Sequence, residues 1–154
     1  MTQYIHYGHK AYDPNLFSEV KNRVGSNKPS GGLWASAVDA EYGWKAWNKD
    51  EDFVVCDDDN AFKFELTQNV KVFVIDSVAK ADALPKTHLS GESDRWAFLA
   101  STLGFESYDF EKLARVCDAI DFRLSDDHKL YYKMYGWDCD SILVLNKECI
   151  VPLS

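Results

Sequence analysis

A chain of 154 residues with 46% hydrophobic content is the size of one ordinary domain and can close a core without metal or disulfide staples. Its 25 acidic against 17 basic residues leave a formal net charge of -8, which argues against a general grip on nucleic acid or an anionic membrane, and no run of Lys or Arg marks a local basic patch. The four cysteines, Cys56, Cys117, Cys139 and Cys149, form no Cys-x-x-Cys pair; a zinc knuckle or thioredoxin-type motif is thereby disfavoured, and reduced thiols are expected, with Cys117 and Cys149 in the core.

The opening Met1-Thr2-Gln3-Tyr4-Ile5-His6 has neither the basic start nor the apolar stretch of a secretory signal, and no uncharged apolar run is long enough to span a bilayer. A cytoplasmic protein with no membrane partner is expected. Strand signals fall at Tyr4 to Tyr7 and Gly32 to Ser36, then in the alternating Phe62-Lys63-Phe64-Glu65-Leu66 and at Val70 to Ile75. Further strands are expected at Ala119 to Leu124 and Ser141 to Asn146, with a short edge strand at Cys149-Ile150-Val151. Loops are marked by Asn27-Lys28-Pro29-Ser30-Gly31-Gly32 and Asp57-Asp58-Asp59-Asn60.

Helical spacing is clearest in Trp96, Leu99, Ala100 and Leu103 after a Ser93 or Asp94 cap, and in Phe110, Leu113, Ala114 and Cys117 after Asp109. Asn15 to Arg23 and Tyr42 to Lys49 are weaker helical segments, the second with Trp44 and Trp47 one turn apart. Short strands joined by varied connections imply a single α+β domain over residues 1–154, with a small, mixed, mostly antiparallel split sheet and two to four helices.

Three segments are richer than packing requires. In His6-Tyr7-Gly8-His9 a strand ends in a glycine flanked by imidazoles: either His6 donates to a substrate hydroxyl while Gly8 makes room, or Gly8 makes a turn and both histidines are surface groups. Trp34, Trp44 and Trp47 fall within fourteen positions beside a diglycine. Their faces suit a flat or cationic ring such as nicotinamide, although Trp44 and Trp47 could equally bury one face of a small helix. Ser36, at a strand end, is placed to hold a ribose hydroxyl or to act as a turn donor. In Tyr135-Gly136-Trp137-Asp138-Cys139-Asp140, two carboxylates precede an apolar strand; residues two apart on an extended chain point the same way, into a cleft or into solvent.

The clusters Asp50-Glu51-Asp52, Asp57-Asp58-Asp59 and Asp126-Asp127 read as solvated loops, the triple aspartate lacking the glycine and distal glutamate of a calcium loop. No Gly-x-Gly-x-x-Gly, Walker loop, His-Glu-x-x-His or Gly-x-Ser-x-Gly is present. No metal is expected.

Taken in order, His6-Tyr7-Gly8, Leu33-Trp34-Ala35-Ser36 and the segment from Asp138-Cys139-Asp140 through Leu145 resemble the core of ADP-ribosyltransferase-like proteins. That fold is shared by mono-ADP-ribosylating toxins, poly-ADP-ribose polymerases and RNA 2′-phosphotransferases. In the family a first strand carries His or Arg next to Gly, a second carries an aromatic followed by Ser or Thr, and a late strand opens with an acidic residue. Here Tyr7 intervenes between His6 and Gly8, leaving His6, His9 or neither for that part, and Asp140 stands where glutamate is usual.

The resemblance implies a domain that takes NAD as its substrate and either transfers ADP-ribose to an acceptor or hydrolyses the dinucleotide, with no metal. Asp140 would stabilise the positive charge developing on the ribose carbon and Asp138 would orient the nucleophile. His6 and Ser36 would hold the nicotinamide ribose, Tyr42 or Trp44 would cover the ring, and Tyr7, Gly8 and Trp34 would complete the NAD site. The alternative is a non-catalytic nucleotide- or protein-binding module using the Trp34, Trp44 and Trp47 cluster. A third reading, an inhibitory protein whose acidic face mimics a polyanion, is disfavoured by the dispersal of charge along the chain. The partners so implied are a nucleotide-type small molecule and a protein acceptor, and the aromatic content is compatible with a homodimer.

Overall fold

The computed structural model describes residues 1–24, 26–87, 95, 98, 102 and 106–154. Among the described residues eight strands make the frame: β1 (Tyr4–Tyr7), β2 (Ser18–Lys21), β3 (Ser30–Ala37), β4 (Ala61–Leu66), β5 (Val72–Ile75), β6 (Ala119–Phe122), β7 (Ser141–Val144) and β8 (Ile150–Pro152). They form an open sheet in the order β5-β6-β7-β3-β1-β4-β8, with β2 pairing β3 off this path. The β5–β6 pair is parallel and the other pairings are antiparallel. The architecture is therefore α+β with a mostly antiparallel sheet.

Alternation along the strands gives the sheet two apolar faces. Leu143 and Ile120 join Trp137, Phe110, Phe122 and Met134 in one core. Their neighbours Ile142, Val144 and Ala119 point the other way, to Leu33, Ala35, Phe62 and Phe64. The helices among the described residues are short and capped by side chains. Helix α2 (Val78–Asp82) starts at Ser77, α3 (Phe110–Leu113) at Asp109 and α4 (His128–Lys133) at Asp127, each cap accepting from a backbone N–H in the first turn. Ser93, Asp94, Trp96, Leu99, Ala100 and Leu103, on which a further helix is expected, lie outside the described residues. No helix among the described residues is long and apolar enough to cross a membrane.

Two expectations are corrected. Asn15 to Arg23 is not helical: a 3-10 turn at Pro14–Leu16 leads into β2, in which Val20 is buried between exposed Glu19 and Lys21. This pairing depends on the diglycine of β3. Gly31 has φ +79 and a Cβ there would lie 2.3 Å from the Glu19 carbonyl oxygen; Gly32 has φ +70 and its Cβ would lie 2.7 Å from the Val144 carbonyl oxygen. Only a residue without a side chain lets β2 and β7 approach this closely. The second correction concerns the thiols: Cys149 is buried as expected and so is Cys139, whereas Cys117 is only partly covered.

Helix α1 (Trp44–Asp50) begins differently. Its cap, Gly43, offers no side chain; instead Ser36, from the end of β3, accepts the Trp44 N–H at 2.8 Å. The same Ser36 hydroxyl donates to the Asp140 carbonyl at 2.8 Å, and the Asp140 N–H donates to the Tyr42 carbonyl at 2.8 Å. These three bonds tie the end of β3, the start of α1 and the approach to β7 into one knot.

Candidate functional site

The sheet opens where β1 and β3 part. Their ladder consists of Tyr4 opposite Ala37 and Ile5 opposite Ser36, and stops there; Leu33, Trp34 and Ala35 pair with β7 instead. Beyond Ile5, the His6 imidazole replaces the ladder by donating from Nδ1 to the Trp34 carbonyl at 2.7 Å. A cavity of about 330 Å³ opens at this parting, lined by residues of β1 and β3 together with Arg23, Lys28, Trp44, Asp138, Cys139 and Ser141. That volume is at the lower end of small-molecule sites, enough for a mononucleotide-sized half and not for a whole dinucleotide.

Three depressions elsewhere are larger, about 500, 420 and 380 Å³. The first two have charges on their walls that already answer one another, Lys21 with Glu111 and Arg123 with Asp121, and the third carries no charged side chain. The cavity at the parted strands combines aromatic walls with imidazole, carboxylate and cationic groups, and so has the richer chemistry.

His6 holds a defined tautomer. A carbonyl only accepts, so Nδ1 carries the proton, and burial lowers the basicity of the ring, opposed by the bond to Trp34 and helped by His9. Nε2 of the neutral ring is then an acceptor. It takes a hydrogen bond from His9 Nδ1 at 3.0 Å, with the two rings stacked at 5.3 Å. Of the two histidines, His6 lines the cavity while His9 is exposed. A ligand hydroxyl would therefore donate to His6, the reverse of the polarity expected from the sequence.

The indoles divide the work. Trp34 carries the Lys28 ammonium 5.2 Å from its ring centroid and packs edge-on against Trp137 at 4.8 Å. Trp44 is backed by Trp47, stacked at 5.2 Å, so that it reaches the cavity as the inner member of a two-ring platform. Trp47 does not line the cavity but packs on Phe53 as well. Tyr7 lines the cavity, and burial together with the Asp58 carboxylate pushes its phenol up to about 12.

The remaining expected residues lie elsewhere. Ser36 is 3% exposed with its hydroxyl engaged in the knot described above, so it positions Trp44 and is not presented to a ligand. Gly8 makes a turn at φ +111, its N–H donating to the Asn60 carbonyl, with nothing within 4 Å of where a Cβ would be. Tyr42 donates its hydroxyl to Asp50 at 2.9 Å. Asp140 accepts the Leu124 N–H at 2.9 Å and borders the depression of Asp121 and Arg123. The two carboxylates thus diverge, and Asp138 is the one at the cavity. The chain does not run as an ideal strand through Cys139, whose side chain is buried at 1% exposure and whose thiol burial pushes up to about 11.

Apart from the apolar Ile5, Pro29 and Ala35, four cavity residues were absent from the sequence-derived set: Arg23, Lys28, Cys139 and Ser141. The signal for the first two was available, as cations on either side of a glycine-containing loop in an acidic chain. Among the described residues no group of three or more His, Cys, Asp or Glu side chains is arranged to hold a metal ion. Comparison with family models, curated proteins and solved structures returns no match.

Proposed function

We propose that this chain is an ADP-ribosyltransferase-like domain that binds NAD and cleaves its nicotinamide–ribose bond, passing ADP-ribose to an acceptor or to water. The observation that carries the reading is the convergence of His6, Trp34, Trp44 and Asp138, from four separate parts of the sequence, on one cavity. Trp44, backed by Trp47, offers a face to the cationic nicotinamide ring. The ribose, alongside, donates a hydroxyl to His6 Nε2, displacing His9.

When the C–N bond breaks, its electron pair leaves with nicotinamide, neutralising the ring, and positive charge remains on the ribose carbon. The Asp138 carboxylate stabilises that charge, taking the role the resemblance gives to Asp140. A water or acceptor oxygen or nitrogen then bonds to the carbon and gives up its proton to solvent. A catalytically silent nucleotide-binding module is the second reading, favoured by the engagement of Asp140 with Leu124, which leaves one carboxylate at the cavity.

Nicotinamide release from NAD, measured for the wild type, Asp138→Asn and Asp140→Asn, tests the proposal. Asp138→Asn should lower the rate by roughly 100-fold or more, as for loss of one strong electrostatic contact. Asp140→Asn should retain release, since an amide oxygen can still accept the Leu124 N–H. Equal rates in wild type and Asp138→Asn refute the catalytic assignment; saturable NAD binding without release in the wild type establishes the silent module.

A further inference from the structure

In a chain of net charge -8, the loop between β2 and β3 brings two cations, Arg23 and Lys28, to one wall of the cavity. The position of Lys28 is built and not incidental. Its neighbour Asn27 is 3% exposed; the Asn27 carbonyl accepts the buried Trp137 indole N–H at 2.9 Å, and its amide donates to the Lys133 carbonyl at 3.4 Å. The Lys28 N–H donates to Ser26 Oγ at 3.1 Å, and Pro29 is buried. Gly136, with φ +98, leaves room beside the lysine stem: a Cβ there would be 3.9 Å from Cε.

Residues 26–29 are thus strapped to the core, and the lysine head rests over the Trp34 ring. Among the described residues, no hydrogen bond or ion pair engages the Lys28 ammonium or the Arg23 guanidinium. Burial lowers the basicity of Lys28, an effect that nearby Asp138 and Cys139 oppose and Arg23 adds to. A half-buried ammonium with three donors, next to a second cation and facing an open cavity, has Asp138 nearby but no ion-pair partner among the described residues, which leaves its donors open to a ligand anion. The aromatic platform of Trp44 and Trp47 and the cationic pair are separate features of the same site, which suits a ligand with a flat ring at one end and phosphate further along.

Resting on the nucleotide reading above, we infer that Lys28, supported by Arg23, is the phosphate-binding group of this cavity, so that its substrate class is a phosphorylated nucleotide and not a nucleoside or free base. Trp34 serves as the seat of that lysine, and the ring-stacking role belongs to Trp44.

Isothermal titration of the wild type, Lys28→Met, Lys28→Arg and Arg23→Gln with NAD, nicotinamide riboside and ADP, at low and high salt, tests this, with circular dichroism melts to verify folding. The wild type should bind NAD at least about tenfold more tightly than nicotinamide riboside, the difference shrinking as salt rises. Lys28→Met should bring NAD down to the nicotinamide riboside level while leaving nicotinamide riboside unchanged, Lys28→Arg should keep most of the preference, and Arg23→Gln should lose part of it. Equal loss for both ligands in Lys28→Met, no loss for either, or no preference for NAD in the wild type overturns the inference. Lys28-dependent binding of ADP with no further gain from nicotinamide supports the phosphate site and sinks the NAD reading; no binding of any of the three ligands sinks both.

Discussion

Replacing Trp137 by Phe joins the core to the cavity in one experiment. Trp137 is 1% exposed and packs against Trp34, Phe110 and Phe122, and its indole N–H donates to the Asn27 carbonyl. Phenylalanine keeps an aromatic ring there but removes that donor, leaving a buried carbonyl without its partner at a cost of about 1–3 kcal/mol. The phenyl ring is also smaller by roughly 40 Å³, which at about 24 cal/mol per Å³ of cavity adds roughly 1 kcal/mol. The sum, about 2–4 kcal/mol, corresponds to a fall of about 10 °C in melting temperature for a domain of this size. Because the same bond straps the loop that presents Lys28, NAD affinity should fall along with stability. Urea denaturation and isothermal titration measure the two effects. A loss below about 1 kcal/mol would show that the bond contributes little, against the range expected for a buried donor–acceptor pair. A destabilised variant that binds NAD as the wild type does would show that the strap does not position Lys28.

Two further outcomes follow from the geometry. The folded chain holds His6 neutral, its basicity lowered first by burial, so the unfolded chain takes up the proton more readily. The stability contributed by this group is complete above the ordinary imidazole value near 6.5 and is lost as pH falls through the lower folded value; melts of wild type and His6→Gln between about pH 7.5 and 5.5 should therefore converge as pH drops, and parallel curves would refute the assignment. Gly31→Ala forces a side chain onto a residue at φ +79 with a Cβ 2.3 Å from the Glu19 carbonyl oxygen. Strain and overpacking together should cost about 2–5 kcal/mol in urea denaturation, and a cost under about 1 kcal/mol would mean that β2 is free to move away.

Much of the framework was legible along the chain. Phe62, Phe64 and Leu66 alternate with Lys63 and Glu65, and β4 buries the first set while Lys63 is exposed. The expected strand at Tyr4 to Tyr7 coincides with β1, and the Asp109 cap does begin a helix. Helices α2 and α4 were not anticipated: at five and six residues they are too short for a recurring apolar face, although Ser77 and Asp127 are ordinary caps. The helix expected at Asn15 to Arg23 became a strand because its partner, the diglycine of β3, is remote in sequence and accepts a backbone where a side chain would block it.

The site was legible in its residue types and less so in their roles. His6, Tyr7, Trp34, Trp44 and Asp138 meet at one cavity, whereas Gly8, Ser36, Tyr42 and Asp140 are used in turns, capping bonds and the knot at the end of β3. The sequence alone determined the strand-forming segments other than β2, the acidic balance and the local caps, because periodicity, charge and capping act within a few residues. Only the tertiary structure decided which of two aspartates faces the cavity, which nitrogen of His6 carries its proton and that Arg23 and Lys28 share a wall. Those outcomes depend on strand pairings and hydrogen bonds between residues as far apart as Asn27 and Trp137, whose energies have no counterpart in the local pattern.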